Sequence, residues 1–198
     1  SEAKRKQMKL DSPLYGFLND KMQIQNGGTF YLKGSIHPKI EPEIAFLITK
    51  DLSGSAVTRE QALNACGGVA SALEILDSRY EQFKYFSMED VIADNSSSSH
   101  FVVGPWSQDF QNLDLQNLKM EMSLDGKVLQ SGISSDISGD PVISILHLCS
   151  LLNERDQILK AGSIVFAGAA TIAENLKEGL KVELKIDHLP SVSVSVKG

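Results

Sequence analysis

Apolar and polar positions alternate most regularly toward the C-terminal end of the chain. There "GSIVFAG" (162–168), "KVELKI" (181–186) and "SVSVSVK" (191–197) read as three short strands, β-branched and set apart by Gly, Asp and Pro signals. Upstream, "LKMEMSLDGKVLQSG" (118–132) alternates on both sides of Asp125-Gly126, which predicts a hairpin of two antiparallel strands. Helical spacing shows in two places. "TREQALNAC" opens on Thr58 with a charge-rich first turn and predicts a helix over about 58–66; Gly67-Gly68 follows, then a strand over about 70–77. In "DPVISILHLCSLLNERDQIL" (140–159), Asp140 is a candidate N-cap and Pro141 the first helical residue, with Ile145, Leu148, Leu151 and Leu152 on one stripe. "NSSSSH" (95–100) reads as a short polar loop. Strands outnumber helices, and neither a βαβ alternation nor an internal repeat is evident, so the expected class is α+β, predominantly β.

Composition narrows the function classes. A chain of 198 residues, 42% hydrophobic, suits one globular domain with a sizeable core. Net charge is −6, and the one short basic run is "KRK" at 4–6, so the phosphate-neutralising patch needed for nucleic-acid binding is missing. The two cysteines, Cys66 and Cys149, each sit in an apolar segment, which reads as buried, reduced thiols and a cytoplasmic location. No apolar run reaches the ~18 residues of a membrane span, and "SEAKRKQMKL" lacks the apolar stretch of a signal peptide.

The chemistry is concentrated in acidic residues within apolar runs. "SIHPKIEPEIAFLIT" (35–49) sets Glu41 and Glu43 one residue apart at the head of a strand-like run. On a strand, i and i+2 share a face, so the two charges repel unless a cation lies between them. The alternative is a solvent-facing edge at which Pro42 marks a bulge or turn. Glu74 lies among Leu73, Ile75 and Leu76 in "ALEILDSRY" and must be paired, exposed on the other strand face, or bound to a metal. Three carboxylates with no Cys nearby, and His37 the one nearby His, suit Mg²⁺ or Mn²⁺ better than Zn²⁺. His37, followed by Pro38, reads as a turn residue and stays outside the ligand set.

"SPLYGFL", "HPKIEPEIAF", "EILDSRYEQFKY", "VIADNSSS", "FAGAATIA" and "PSVSVSV" occur in that order over nearly the whole chain. The set resembles the fumarylacetoacetate hydrolase superfamily, in the branch that contains 2-oxo-3-hexenedioate (4-oxalocrotonate) decarboxylase and 2-hydroxypenta-2,4-dienoate hydratase. The resemblance implies a mixed β-sheet roll with a few helices, forming one metal-dependent catalytic domain over 1–198. It implies a Mg²⁺ (or Mn²⁺) ion held by Glu41, Glu43 and Glu74, a small 2-oxo acid substrate, at least a dimer, and a complex with a paired hydratase.

Within that branch the metal site is shared, so the choice of reaction falls on other residues. The hydratases of the resemblance carry an Asp just before the aromatic-Gly pair; here Leu14 precedes Tyr15-Gly16, which favours a drier pocket and the decarboxylase. "DSRYEQFKY" points the same way. Arg79 and Lys84 are candidates to hold the substrate's distal carboxylate, with a structural salt bridge as the alternative for each. Asn95, Ser96, Thr171 and Ser191 match polar positions of the family that bind substrate oxygens, or else cap turns. The family also carries a lysine in a segment upstream of the position corresponding to Ser1. Lys4, Lys6 and Lys9 do not match its motif, so a longer protein is expected. A hydratase and a non-catalytic partner subunit of one are the competing functions.

Overall fold

The computed structural model describes residues 13–198. The strands are β1 (Gln23–Ile24), β2 (Thr29–Tyr31), β3 (Lys39–Ile48), β4 (Cys66–Leu76), β5 (Ser98–Val103), β6 (Lys119–Leu124), β7 (Lys127–Ile133), β8 (Ile164–Phe166), β9 (Glu174–Asn175), β10 (Lys181–Ile186) and β11 (Leu189–Lys197). Three α-helices join them: α1 (Arg59–Ala65), α2 (Met88–Ala93) and α3 (Ile143–Asn153). One sheet runs β1-β5-β4-β3-β8, with β9 also on β3; the other runs β2-β11-β10-β6-β7. The β1–β5 and β2–β11 pairs are parallel and the rest antiparallel. This is the expected β-rich roll.

The core lies between the sheets, where β4 packs on β11 and β10. Alternation decides which side chains enter it. Val192, Val194 and Val196 of β11 are buried, as are Val182 and Leu184 of β10, and they meet Ile40, Ile44, Phe46, Leu73 and Ile75 of the first sheet. Each such aliphatic side chain contributes roughly 1.5–3 kcal/mol by leaving water. The central strands β3 and β4 are buried on both faces, which is why their sequences are near-continuous apolar runs.

The hairpin forms as expected: Asp125 (φ 51°) and Gly126 (φ 79°) both take positive φ, the two-residue turn that matches strand twist. Thr58 caps α1 in a capping box with Gln61. Asp140 Oδ1 accepts from the Val142 N–H at 2.9 Å, and its carbonyl accepts from Ile143 at 3.0 Å, so the entry to α3 is a tight turn and the regular helix starts at Ile143. On α3, Ile145, Cys149 and Leu152 are buried; Leu148 and Leu151 instead line a cleft.

Two local expectations are corrected. Gly67-Gly68 does not separate helix from strand: β4 starts at Cys66 and runs through both. A Cβ at Gly67 would lie 2.3 Å from Thr49 Cγ2 and one at Gly68 3.2 Å from Trp106 Cβ, so these glycines permit close packing rather than a break. "NSSSSH" is not simply a loop: Asn95–Ser97 form a 3₁₀ turn and Ser98, Ser99 and His100 already belong to β5. Lys4, Lys6, Lys9 and the "KRK" run lie outside the described residues.

Candidate metal centre

Register brings the three carboxylates together. Glu41 on β3 pairs directly with Glu74 on β4, and Glu43 pairs with Ala72, so Glu74 is the diagonal neighbour of Glu43 on the same face. All three are buried, at 3%, 2% and 7% exposure, and one carboxylate oxygen from each lies within 4.8 Å of the others. Pro42 fits mid-strand without a bulge. Its carbonyl accepts from the Ala170 N–H at 3.2 Å, so its nitrogen faces the same edge, in the gap between β8 and β9 where no ladder donor is needed. The solvent-facing-edge alternative is thereby excluded.

Two neighbours orient the carboxylates. Ser98 Oγ donates to Glu74 Oε1 at 2.5 Å, and the Gly168 N–H donates to Glu43 Oε2 at 2.8 Å. Three negative charges at this spacing repel by on the order of 3 kcal/mol per pair at an effective dielectric of about 20. A divalent cation relieves that repulsion, and an all-oxygen donor set fits a hard one.

The same face opens into a cleft of about 1100 Å³. Glu43 and Glu74 line it, with Phe101 of β5 and Phe166 of β8 beside them. The two rings meet edge to face at 5.4 Å, with Phe166 in register with Ala45 and Phe101 with Glu74. Leu14, Tyr15 and Phe17 form one wall, and Ser144, His147, Leu148 and Leu151 of α3 another. Leu14 and Ser96 are both among the residues that line this cleft.

The other candidates take different positions. Asn95 clamps the wall: its Oδ1 accepts from the Phe17 N–H and its Nδ2 donates to the Phe17 carbonyl, both at 2.8 Å. Gly16 packs so closely that a Cβ there would lie 2.7 Å from Asn95 Oδ1. Arg79 is outside the cleft lining and forms the structural pair, Nε to Asp94 Oδ1 at 2.6 Å, while also donating to the carbonyls of Asp77 and Asp94. Lys84 is exposed on a turn away from the cleft. Ser191 is exposed on β11, its carbonyl accepting from Asn26 Nδ2, and Thr171 lies outside the cleft lining with its methyl near Gly132. None of these four residues is among those that line the cleft.

Buried Asp94 organises the segment between β4 and β5. Its Oδ2 accepts from Ser78 at 2.8 Å and from Tyr85 at 2.5 Å, and Tyr85 also meets Ser97. Burial first, and then the Asp94 carboxylate, hold the Tyr85 phenol above its ordinary range. This network pins Asn95, Ser96 and Ser97, all at positive φ, immediately before Ser98. Ser98, Gly168, Phe101, Phe166, Ser144 and His147 were missed by sequence reasoning. Ser98 was hidden in a serine run and Gly168 stood in a quoted motif, whereas nothing local marked the others.

Fold and site together define a two-sheet β roll with a buried cluster of three carboxylates, of the kind that suits a hard cation, beside a cleft that two of them line. Residues 2–197 match the family described as fumarylacetoacetate (FAA) hydrolase C-terminal, and the chain belongs to that family. It is 43% identical over 198 residues to a 4-oxalocrotonate decarboxylase of Pseudomonas sp, covering all of this chain and 76% of that protein. It is 34% identical to the 2-hydroxyhexa-2,4-dienoate hydratase of Comamonas testosteroni, covering 94% of this chain and 71% of the hydratase. The structure of 4-oxalocrotonate decarboxylase from Pseudomonas putida G7, complexed with magnesium and adipate, superposes with a TM-score of 0.93 at 34% identity, over 99% of this chain and 74% of that one.

Proposed function

We propose that this chain is a Mg²⁺-dependent decarboxylase of 2-oxo-3-hexenedioate, giving CO2 and 2-hydroxypenta-2,4-dienoate in the meta-cleavage degradation of aromatic compounds. The observation that carries this reading is the buried Glu41–Glu43–Glu74 cluster, two members of which, Glu43 and Glu74, line the same cleft as Leu14, Phe101 and Phe166. The similarity to decarboxylases supports it.

Glu41, Glu43 and Glu74 would hold the ion. Mg²⁺ bound there supplies Lewis-acid polarisation of the 2-oxo group. In the reaction the C5–C6 bond breaks, C6 leaves as CO2, and the electron pair passes along the conjugated chain to the C2 oxygen, which then takes a proton. The protein's own contribution is positional. Ser98 and the Gly168 N–H fix two ligand carboxylates, so little reorganisation accompanies the charge shift. Phe101, Phe166 and Leu14 keep water from the reacting chain. A hydratase needs a group that delivers water to the diene, and Leu14 offers none. Asn95 acts through the Phe17 backbone as a positioning residue for this wall.

Self-association and a complex with a paired hydratase belong to the same reading and rest on the family resemblance. The test is incubation of the purified protein with 2-oxo-3-hexenedioate: CO2 release should begin on adding Mg²⁺ and stop with EDTA. Turnover of 2-hydroxypenta-2,4-dienoate alone would replace the decarboxylase with the hydratase. Metal binding without any turnover would indicate a partner subunit.

A further inference from the structure

We infer that Ser144 of α3 is a positioning residue for Glu43, acting through the single peptide unit that joins Ala167 to Gly168; the inference rests on the metal site proposed above. Ser144 Oγ donates to the Ala167 carbonyl at 2.6 Å, and the Gly168 N–H donates to Glu43 Oε2 at 2.8 Å. That carbonyl and that N–H belong to one trans peptide, so they point in opposite directions, with the hydroxyl on one side and the carboxylate on the other. A hydroxyl that donates to a peptide oxygen draws electron density from the peptide nitrogen and makes its N–H a stronger donor, a gain of roughly 10–30% per bond. Ser144 thereby strengthens and aims the bond that holds Glu43.

The backbone fixes this peptide against the strand that carries Glu43. The Ala167 N–H donates to the Ile44 carbonyl at 3.0 Å and the Ala170 N–H to the Pro42 carbonyl at 3.2 Å, which brackets the unit on the edge of β3. Gly168 takes φ 100°, a left-handed conformation that lets the chain turn off the ladder where its N–H meets a side chain. From the other side, Ser144 is the second residue of α3, and its hydroxyl crosses to the loop instead of bonding back to a carbonyl of its own helix. The same helix supplies Leu148 and Leu151 to the cleft that Glu43 lines. One wall of the cleft and one carboxylate of the triad are therefore joined by two hydrogen bonds across one peptide plane.

The test is Mn²⁺ titration of the full chain, wild type against Ser144→Ala and Ser144→Thr, alongside NMR of the Mg²⁺-saturated proteins. Ser144→Ala should weaken Mn²⁺ binding about three- to tenfold, at the lower end of what loss of a ligand's hydrogen-bond partner costs, and Ser144→Thr, which keeps the hydroxyl, should bind within about twofold of wild type. The Ala167 carbonyl-carbon and Gly168 amide-proton resonances should both move upfield in Ser144→Ala and return in Ser144→Thr. A bond that merely ties α3 to the loop would lower the urea midpoint of Ser144→Ala and shift the Ala167 resonance, yet leave the Gly168 proton and the Mn²⁺ affinity as in wild type; that result overturns the inference alone. Wild-type protein that binds no Mn²⁺ overturns the metal site and this inference with it.

Discussion

At Glu43 the proposed metal-binding role and the stability of the metal-free fold pull in opposite directions. Glu43 is buried beside two other carboxylates and oriented by the Gly168 N–H, so it adds repulsion in the metal-free protein. Glu43→Gln is expected to reduce decarboxylation to background while leaving the apo-protein's melting temperature unchanged or a few degrees higher; melting with and without EDTA checks this. Ser98→Ala removes the donor to Glu74. It should weaken Mn²⁺ binding by about tenfold and cost about 1 kcal/mol of stability, read by metal titration and urea unfolding. The Glu41–Glu43 pair and the isolated Glu74 were each visible in the sequence as local signals, whereas their meeting in one cluster was expected only from the family resemblance and follows from the β3–β4 register. The role of Arg79 was not visible there: its chemistry suits an anion, but its partner, Asp94, is 15 residues away and becomes a neighbour only through the fold.

Elements were legible where local pattern and tertiary demand agree. The Asp125-Gly126 hairpin and the valine-serine alternation of β11 satisfy both. Gly67-Gly68 reads locally as a break, yet the strand continues because the space beside it is filled by Thr49 and Trp106. Gly67→Ala should therefore destabilise by about 1–3 kcal/mol, and adding Thr49→Ser, which removes the obstructing methyl, should recover most of that loss in denaturant unfolding. Asp140 secures α3, and with it Ser144 and His147. Burial alone would raise its carboxyl, but Arg59, Gln116 and the Val142 N–H together hold it below the ordinary range. A depressed folded-state value contributes stability above the unfolded value near 3.9 and loses it as pH falls through the folded one. Asp140→Ala should cost about 1–2 kcal/mol at pH 7, and the gap from wild type should shrink on acidification below about pH 4.

At the scale of the molecule, the two sheets divide the work. The β2-β11-β10-β6-β7 sheet gives β3 and β4 a close-packed backing, and their opposite face carries the carboxylates and the cleft. The sequence already showed a β-rich class, but not which faces of β3 and β4 would be covered, because both read as continuous apolar runs. Burial also keeps the thiols quiet, with Cys66 pushed up to about 12, so neither Cys66 nor Cys149 should react with a thiol reagent at pH 7 until the protein unfolds. Among the described residues, no helix is long and apolar enough to cross a membrane. In the proposed reaction the carboxylate triad and its cleft direct loss of C6 rather than addition of water. The most direct test is carbon NMR of the Mg²⁺-loaded protein turning over 2-oxo-3-hexenedioate labelled with ¹³C at C6. The label should appear as CO2 and bicarbonate, with none released in EDTA. Label retained in a hydrated six-carbon product, or released equally without metal, would contradict the proposed reaction.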